Sequence, residues 1–430
     1  MKKEKKALRW VRLDNAAKIY PAVKRKNWSN VYRYSATLSE EVDKTVLKRA
    51  LDATVPRFPT IAARLRFGVF WYYLEQVAEA PAISEEYSYP LVYMSAKEMS
   101  RCAFRVIVYG RRLALEFFHA LTDGTGALIF LKTLLAEYLE QKYGISVPCE
   151  DGVLDRREAP FDEEMEDCFP KYAGAVPASR KDTNAWHMTG DKIKDGFLHL
   201  TCFKLPTQDL LALAHRYGVT VTVCVNALMM QALVRLQNEK NPSRKRQKRI
   251  KVLIPINLRQ LFLAKTLRNF SMYTIPEIDP RLGEYSFEEI CGVIAHKMGA
   301  EFTAKQMSRV IAANVNDEKN PIVRLIPLPI KNLVMRAIFD SVGEKKACLN
   351  LSNVGRVKLP DEMTPYIERF DFILGIQAAA PYNCGMLSYG DTVYINFIRN
   401  IRDAELERHF HAVLRDMGLS VTVESNRNER

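Results

Sequence analysis

A chain of 430 residues with 48% hydrophobic and 26% charged residues can bury a sizeable core, which excludes a disordered or fibrous protein and leaves room for about two to three domains. No stretch reaches the roughly 18 apolar residues that span a bilayer, and the basic start Met1–Ala7 has no apolar segment behind it, so neither a membrane span nor a signal peptide is expected. The net charge of +13 favours polyanionic partners (nucleic acid, anionic lipid or a phosphorylated cofactor), while eight scattered cysteines without a Cys-x-x-Cys pair read as free thiols of a cytoplasmic protein rather than a zinc site or disulfide framework.

In chain order, Val31–Leu38 alternates and is rich in β-formers, so it reads as a strand. Ser39 is then placed to cap a helix that turns Val42, Val46, Leu47, Ala50 and Leu51 to one face and stops at Pro56. Strands follow at 62–67 and 70–76, and a hairpin at 103–109 and 112–118 turns around Gly110. Its second arm is a short apolar run with aromatics, the composition of a covered strand, and it delivers His119. Gly124 and Gly126 interrupt the pattern, and a helix is expected after them as far as Tyr143.

Residues 144–196 carry recurring prolines and the acidic run Asp162–Asp167, which suits a linker with a solvated face between two halves. The second half repeats the grammar of the first: a strand at 197–204, helices at 206–217 and 222–236, and a core strand at 251–259. Helical segments at 286–314 and 320–341 come next, then strands at 347–353, 370–375, 386–389 and 392–397, and a closing helix at 404–417. The division expected is an N-terminal lobe over 1–180, its linker at about 144–196, and a C-terminal lobe over 197–430. Met229-Met230, on a largely apolar helix, read as packing.

The chemistry concentrates in His119-Ala120-Leu121-Thr122-Asp123-Gly124. A neutral imidazole at the end of a buried strand is suited to take a proton from an alcohol, amine or thiol. Asp123, followed by a glycine that permits a sharp turn, can hold the loop that aims the ring. A lone histidine in such a place is often a satisfied core residue, so the reading needs company. The basic run Arg244-Lys245-Arg246-Gln247-Lys248-Arg249 lies on a connecting loop, and reads as a solvated loop, as a contact for cofactor phosphates, or as a nucleic-acid contact.

Phe118-His119-Ala120-Leu121-Thr122-Asp123-Gly124 resembles the active-site motif of the chloramphenicol-acetyltransferase-like acyltransferases, the superfamily that includes peptide-synthetase condensation domains and alcohol acetyltransferases. Val252–Arg259 is similar to the condensation-type strand ending in Pro-x-Asn-x-Arg, and Leu351-Ser352-Asn353-Val354-Gly355 is similar to the superfamily's Ser-Asn-x-Gly strand end. The resemblance covers nearly the whole chain. It implies an α/β fold of two lobes, each a mixed sheet with flanking helices, and a tunnel between them.

It also implies roles. His119 matches the general base for attack on an acyl thioester. Asp123 matches a structural aspartate paired with a distant arginine, for which Arg259 is the counterpart here, and Gly124 completes the motif. Ser352, or Asn353 beside it, corresponds to a donor to the tetrahedral oxyanion. Acyl-CoA is the implied co-substrate, with Arg244, Lys245 and Arg246 as candidates for its phosphates; an acyl-carrier protein is the second donor, and an alcohol or amine the acceptor. No bound cofactor, metal or nucleic acid is implied, and a monomer is expected.

Two departures narrow the resemblance. Phe118 stands where condensation domains carry a second histidine, and the plant enzymes' Asp-Phe-Gly-Trp-Gly motif is missing. A free-standing bacterial alcohol acetyltransferase is the nearest type. The competing readings are a non-catalytic binding or scaffolding member of the fold, and a nucleic-acid-binding protein using residues 244–249.

Overall fold

The computed structural model describes residues 9–25, 30–178, 183–193, 196–343, 345–377 and 380–426. The basic N-terminal residues 1–6 lie outside them.

Strand-forming sequence is spread along the chain as β1 (Trp10–Arg12), β2 (Val31–Leu38), β3 (Ala63–Phe67), β4 (Tyr72–Gln76), β5 (Ile83–Glu85), β6 (Phe104–Tyr109), β7 (Arg112–Phe118) and β8 (His199–Pro206). It continues as β9 (Ile250–Asn257), β10 (Ser271–Thr274), β11 (Glu277–Ile278), β12 (Leu349–Arg356), β13 (Ile367–Ile373), β14 (Tyr382–Tyr389), β15 (Thr392–Arg399) and β16 (Thr422–Ser425). Three sheets result among the described residues. The first runs β13-β2-β7-β6-β5, the second runs β10-β9-β12-β14-β15-β8-β16 with β11 also on β9, and a small one runs β1-β4-β3. Both large sheets are mixed: β5 pairs parallel with β6, and β12 pairs parallel with β9 and β14, among otherwise antiparallel neighbours.

β7 reads as apolar along its length because both its faces are covered, and all but its first residue are buried. The Gly124–Tyr143 helix lies within the first core, with Phe130, Leu131, Leu134 and Leu135 fully enclosed. The Val221–Lys240 helix does the same in the second lobe, where Met229 and Met230 are packing residues with no exposed surface.

The sheets do not respect a division of the chain near residue 180. β13, from the C-terminal segment, pairs antiparallel with β2 and completes the first sheet. It also lies against β14. A Cβ on Gly385 of β14 would sit 2.4 Å from the Phe372 carbonyl oxygen of β13, so only glycine allows the two sheets this approach.

Three local expectations are corrected. The helix after β2 starts at Lys44, not beside Ser39: Asp43 accepts the Thr45 and Val46 N–H groups, while the Ser39 N–H is drawn to the Tyr366 carbonyl. The helix after β7 begins at Gly124, at the first of its two glycines rather than after them, because Asp123 caps it. The acidic run is not wholly solvated: Glu164 is buried in a bidentate pair with Arg57 (2.5 and 2.7 Å). Asp167 accepts the Asn15 and Phe169 N–H groups, and burial raises its carboxyl to about 6.

Candidate active site

His119 follows the last residue of β7, where the strand ends and the chain must turn into a helix. Its N–H donates to the Asn30 carbonyl (2.8 Å), which holds the turn against the start of β2. Tyr20 stacks on the imidazole with ring centres 4.4 Å apart, and Tyr32 meets it edge-on at 4.9 Å. Part of the His119 side chain stays accessible between these walls.

The ring's orientation is set by a chain of hydrogen bonds. His119 Nδ1 lies 3.1 Å from Asn269 Oδ1, and Asn269 Nδ2 donates to the carboxylate of buried Asp14 (3.2 Å). A carboxylate accepts only, so it turns the amide's NH2 towards itself and leaves the amide oxygen for the histidine. The hydrogen therefore belongs on Nδ1, and Nε2 keeps a free lone pair. This tautomer is assigned from the hydrogen-bond pattern. Asp14 also accepts the Ala17 N–H (2.7 Å), and burial raises its carboxyl above the usual range while Arg268 pulls it back.

Burial is the largest influence on His119 and lowers its pKa from the ordinary 6.5; its own backbone, the charge of Asp123 and the bond to Asn269 act in the opposite direction. The net result is an imidazole that is neutral at neutral pH.

Asp123 does a different job. Its Oδ1 accepts the N–H groups of Thr125 (3.1 Å) and Gly126 (3.3 Å), capping the helix; its Oδ2 accepts Arg259 Nη1 (2.8 Å) and the Phe270 N–H (2.9 Å). Arg259 stands just past β9, at the start of a short helix, and its guanidinium also donates to the carbonyls of Thr266 (2.6 Å) and Arg268. Asn257, the last residue of β9, donates to Thr125 Oγ1 (3.2 Å) and accepts from the Arg259 N–H and Nη1. The end of β9 is thereby bolted to the histidine turn. Asp123 faces donors on every side and aims no oxygen at the imidazole.

The turn itself is crowded. A Cβ on Gly126 would lie 2.2 Å from Thr122 Oγ1 and 2.3 Å from the Leu267 carbonyl oxygen, so no other residue fits there. A Cβ on Gly124 would lie 3.1 Å from Tyr34 Oη, 3.4 Å from Val354 and 3.9 Å from Phe372, so the end of β12 lies near the histidine turn. The Tyr34 hydroxyl is buried there with no hydrogen-bond partner among the described residues.

The structure brings together His119, Asp123, Gly124 and Arg259. Ser352 sits on β12 opposite Gly385, half-buried, two residues before the Val354 that touches the turn. Asn353 is occupied: it donates to Thr222 Oγ1 (3.1 Å) and accepts the Gly355 N–H (2.9 Å). Arg244, Lys245 and Arg246 are exposed on a 3-10 turn before β9, at the opposite end of that strand from Arg259. Eight residues at about 3.3 Å each separate the two ends, on the order of 25 Å. Asn269, Asp14, Tyr20 and Tyr34 were not legible as site residues. Asn269 closes a segment that follows the Pro-x-Asn-x-Arg strand, and that proximity is the single sequence signal that could have drawn attention to it.

Chemically, the arrangement offers a neutral, oriented base with one free nitrogen, in a low-dielectric setting. No protein-family model and no curated protein matches the sequence. Solved structures do. Polyketide synthase associated protein 5 from Mycobacterium tuberculosis aligns with a TM-score of 0.61 at 16% identity, covering 95% of this chain and 96% of that one. TRI101 of F. graminearum, solved with ethyl coenzyme A, aligns at 0.62 with 11% identity over 93% and 96%. The first condensation domain of the CDA synthetase aligns at 0.58 with 14% identity over 95% of both chains. Over 93 to 95% of its length, this chain shares the two-lobed α/β fold of these solved structures.

Proposed function

We propose that the protein is an acyltransferase that moves an acyl group from a thioester, acyl-CoA before carrier protein, to an alcohol or amine. The observation that carries this reading is the His119 imidazole, neutral and held by Asn269 in the tautomer that leaves Nε2 free. That nitrogen takes the proton from the acceptor as its oxygen or nitrogen attacks the thioester carbon. The tetrahedral oxyanion then collapses, expelling the thiolate, and the proton passes from His119 to the leaving sulfur. Coenzyme A in the neighbouring TRI101 structures supports the choice of donor. Asp123 and Arg259 hold the turn and take no part in proton transfer. Donor and acceptor would reach the base from opposite sides, through a passage between the part of the fold built on the first sheet, which β13 completes, and the part built on the second. Arg244, Lys245 and Arg246, a strand length from Arg259, would contact the phosphates of the donor rather than its reacting end.

Incubation with short-chain acyl-CoA and a panel of alcohols and amines, followed by a colorimetric thiol assay, tests the reading directly. Thiol release that depends on His119 is the expected result; no release with any acceptor, water included, would leave a binding protein built on the same fold.

Two variants separate supporting roles. Ser352→Ala is expected to lower kcat about a hundredfold if its hydroxyl donates to the oxyanion. An unchanged kcat would return Ser352 to a purely structural part. Asn269→Ala frees the ring and is expected to cost on the order of a hundredfold in kcat. Because Asn269 raises the His119 pKa, its loss should also move the acid limb of the pH profile to lower pH. A change in stability alone, with the limb in place, would deny Asn269 a positioning role.

A further inference from the structure

The Leu328–Ile338 helix is built inside out. Its inward positions, at spacings of three and four, are Leu328, Lys331, Asn332 and Met335. Its outward positions are Ile330, Leu333, Val334, Ala337 and Ile338, and all five are exposed. A surface helix of a monomeric protein normally has the reverse pattern.

The inward polar residues are used. Lys331 Nζ donates to the Phe70 carbonyl (2.9 Å) and lies 3.4 Å above the Trp71 ring, Asn332 donates to the Tyr72 hydroxyl (2.7 Å), and the Leu328 N–H donates to the Val69 carbonyl (2.9 Å). These bonds join the helix to the β3–β4 turn, whose tip also presents apolar side chains to solvent: Phe67, Val69 and Phe70. With Leu325 from the preceding turn of helix, the large apolar residues of this surface run from 40% (Phe70) to 72% (Leu325) exposed. Contiguous apolar surface of this kind marks a docking site.

Charge selects the partner. From Pro321 to Ile338 the chain carries Arg324, Lys331 and Arg336 and no acidic residue. Arg324 and Arg336 are exposed; among the described residues neither lies in a salt bridge, and Arg324 Nε donates to the carbonyl of Glu318 (3.2 Å), whose side chain pairs with Lys18 instead. We propose that this helix and the β3–β4 turn dock the protein on an anionic phospholipid surface, the apolar side chains entering the headgroup–acyl boundary and the two arginines meeting lipid phosphates. A second copy of the chain is disfavoured on the same surface, since a two-fold contact would bring the exposed arginines Arg324 and Arg336 of both copies into one interface. The surface also adjoins the base: the helix packs on the short Ile19–Val23 helix, whose Tyr20 stacks on His119. The proposal does not depend on the acyl-transfer reading.

Co-sedimentation of the full chain with vesicles tests it. The protein should sediment with vesicles of phosphatidylcholine and phosphatidylglycerol in equal parts, and far less with phosphatidylcholine alone. Leu333→Asp combined with Val334→Asp should weaken that partition at least tenfold without moving the melting temperature, because neither side chain touches the core. Arg324→Gln with Arg336→Gln should flatten its dependence on salt. Absence of sedimentation with the anionic vesicles, or sedimentation that the double aspartate variant leaves unchanged, would overturn the proposal. So would a dimer in analytical ultracentrifugation that the aspartate pair dissociates while vesicles fail to bind the wild type.

Discussion

His119→Ala should lower kcat by about two to four orders of magnitude, the contribution of a well-placed general base, and leave the fold intact. The His119 side chain is largely buried but not sealed in the core, and the strand that leads to it is held by its neighbours on both sides. Steady-state thiol release measures the loss; turnover within a fewfold of wild type would remove the histidine from the chemistry. The wild-type pH profile is a second, independent check. The reactive form is the neutral ring, and burial lowers the pKa below 6.5, so activity should persist as pH falls through 6.5 and decline only beneath it. The stability sign follows: the unfolded histidine binds a proton at 6.5, the folded one resists it, so the His119 contribution weakens the fold as pH drops below 6.5. An acid limb centred above 6.5 would contradict the buried, neutral base.

Asp123→Asn should damage stability more than chemistry. The wild-type carboxylate answers four donors: the Thr125, Gly126 and Phe270 N–H groups and Arg259 Nη1. An amide retains one acceptor oxygen and turns an NH2 towards groups that are themselves donors. Arg259, its side chain 10% exposed, keeps its carbonyl partners and loses its counter-charge. Breaking a buried pair from one side costs about 3–5 kcal/mol. The carbonyls around the guanidinium place the expected loss near the lower end, about 3 kcal/mol, read from the midpoint of urea unfolding. A variant that unfolds at the wild-type midpoint yet has lost turnover would give Asp123 a direct part in catalysis.

The parts of this site that could be read from sequence are those carried by local pattern. An apolar run with aromatics ending in His-x-x-x-Asp-Gly is a strand, a turn and a helix cap on any reading, and Pro255–Arg259 closes a strand on polar residues. Asp14 and Asn269 carry no such mark. Each is a polar residue in an irregular segment, and what they do arises from an approach between chain positions 255 residues apart. The sequence pattern revealed a strand at 370–375, found at Ile367–Ile373, but strand pattern says nothing about which sheet receives it. The outward apolar face of 328–338 escaped for the opposite reason: periodicity gives a face and assumes that it is buried, and here the assumption fails because Lys331 and Asn332 find partners underneath.

The contribution of β13 to the first sheet sets a timetable for synthesis. β2 is complete once residue 38 has been made, yet the strand that covers its edge ends at residue 373. At ribosomal rates of about 5–20 residues per second the edge stays open for on the order of 20–60 s. Throughout that interval the nascent chain presents unpaired backbone groups on a strand of buried, apolar composition, the kind of edge to which another chain can add. Fragments ending near residue 180 would keep that edge permanently, and should collect in inclusion bodies where the complete chain does not. Supplying residues 367–373 in trans, as a peptide, is the simplest way to close it.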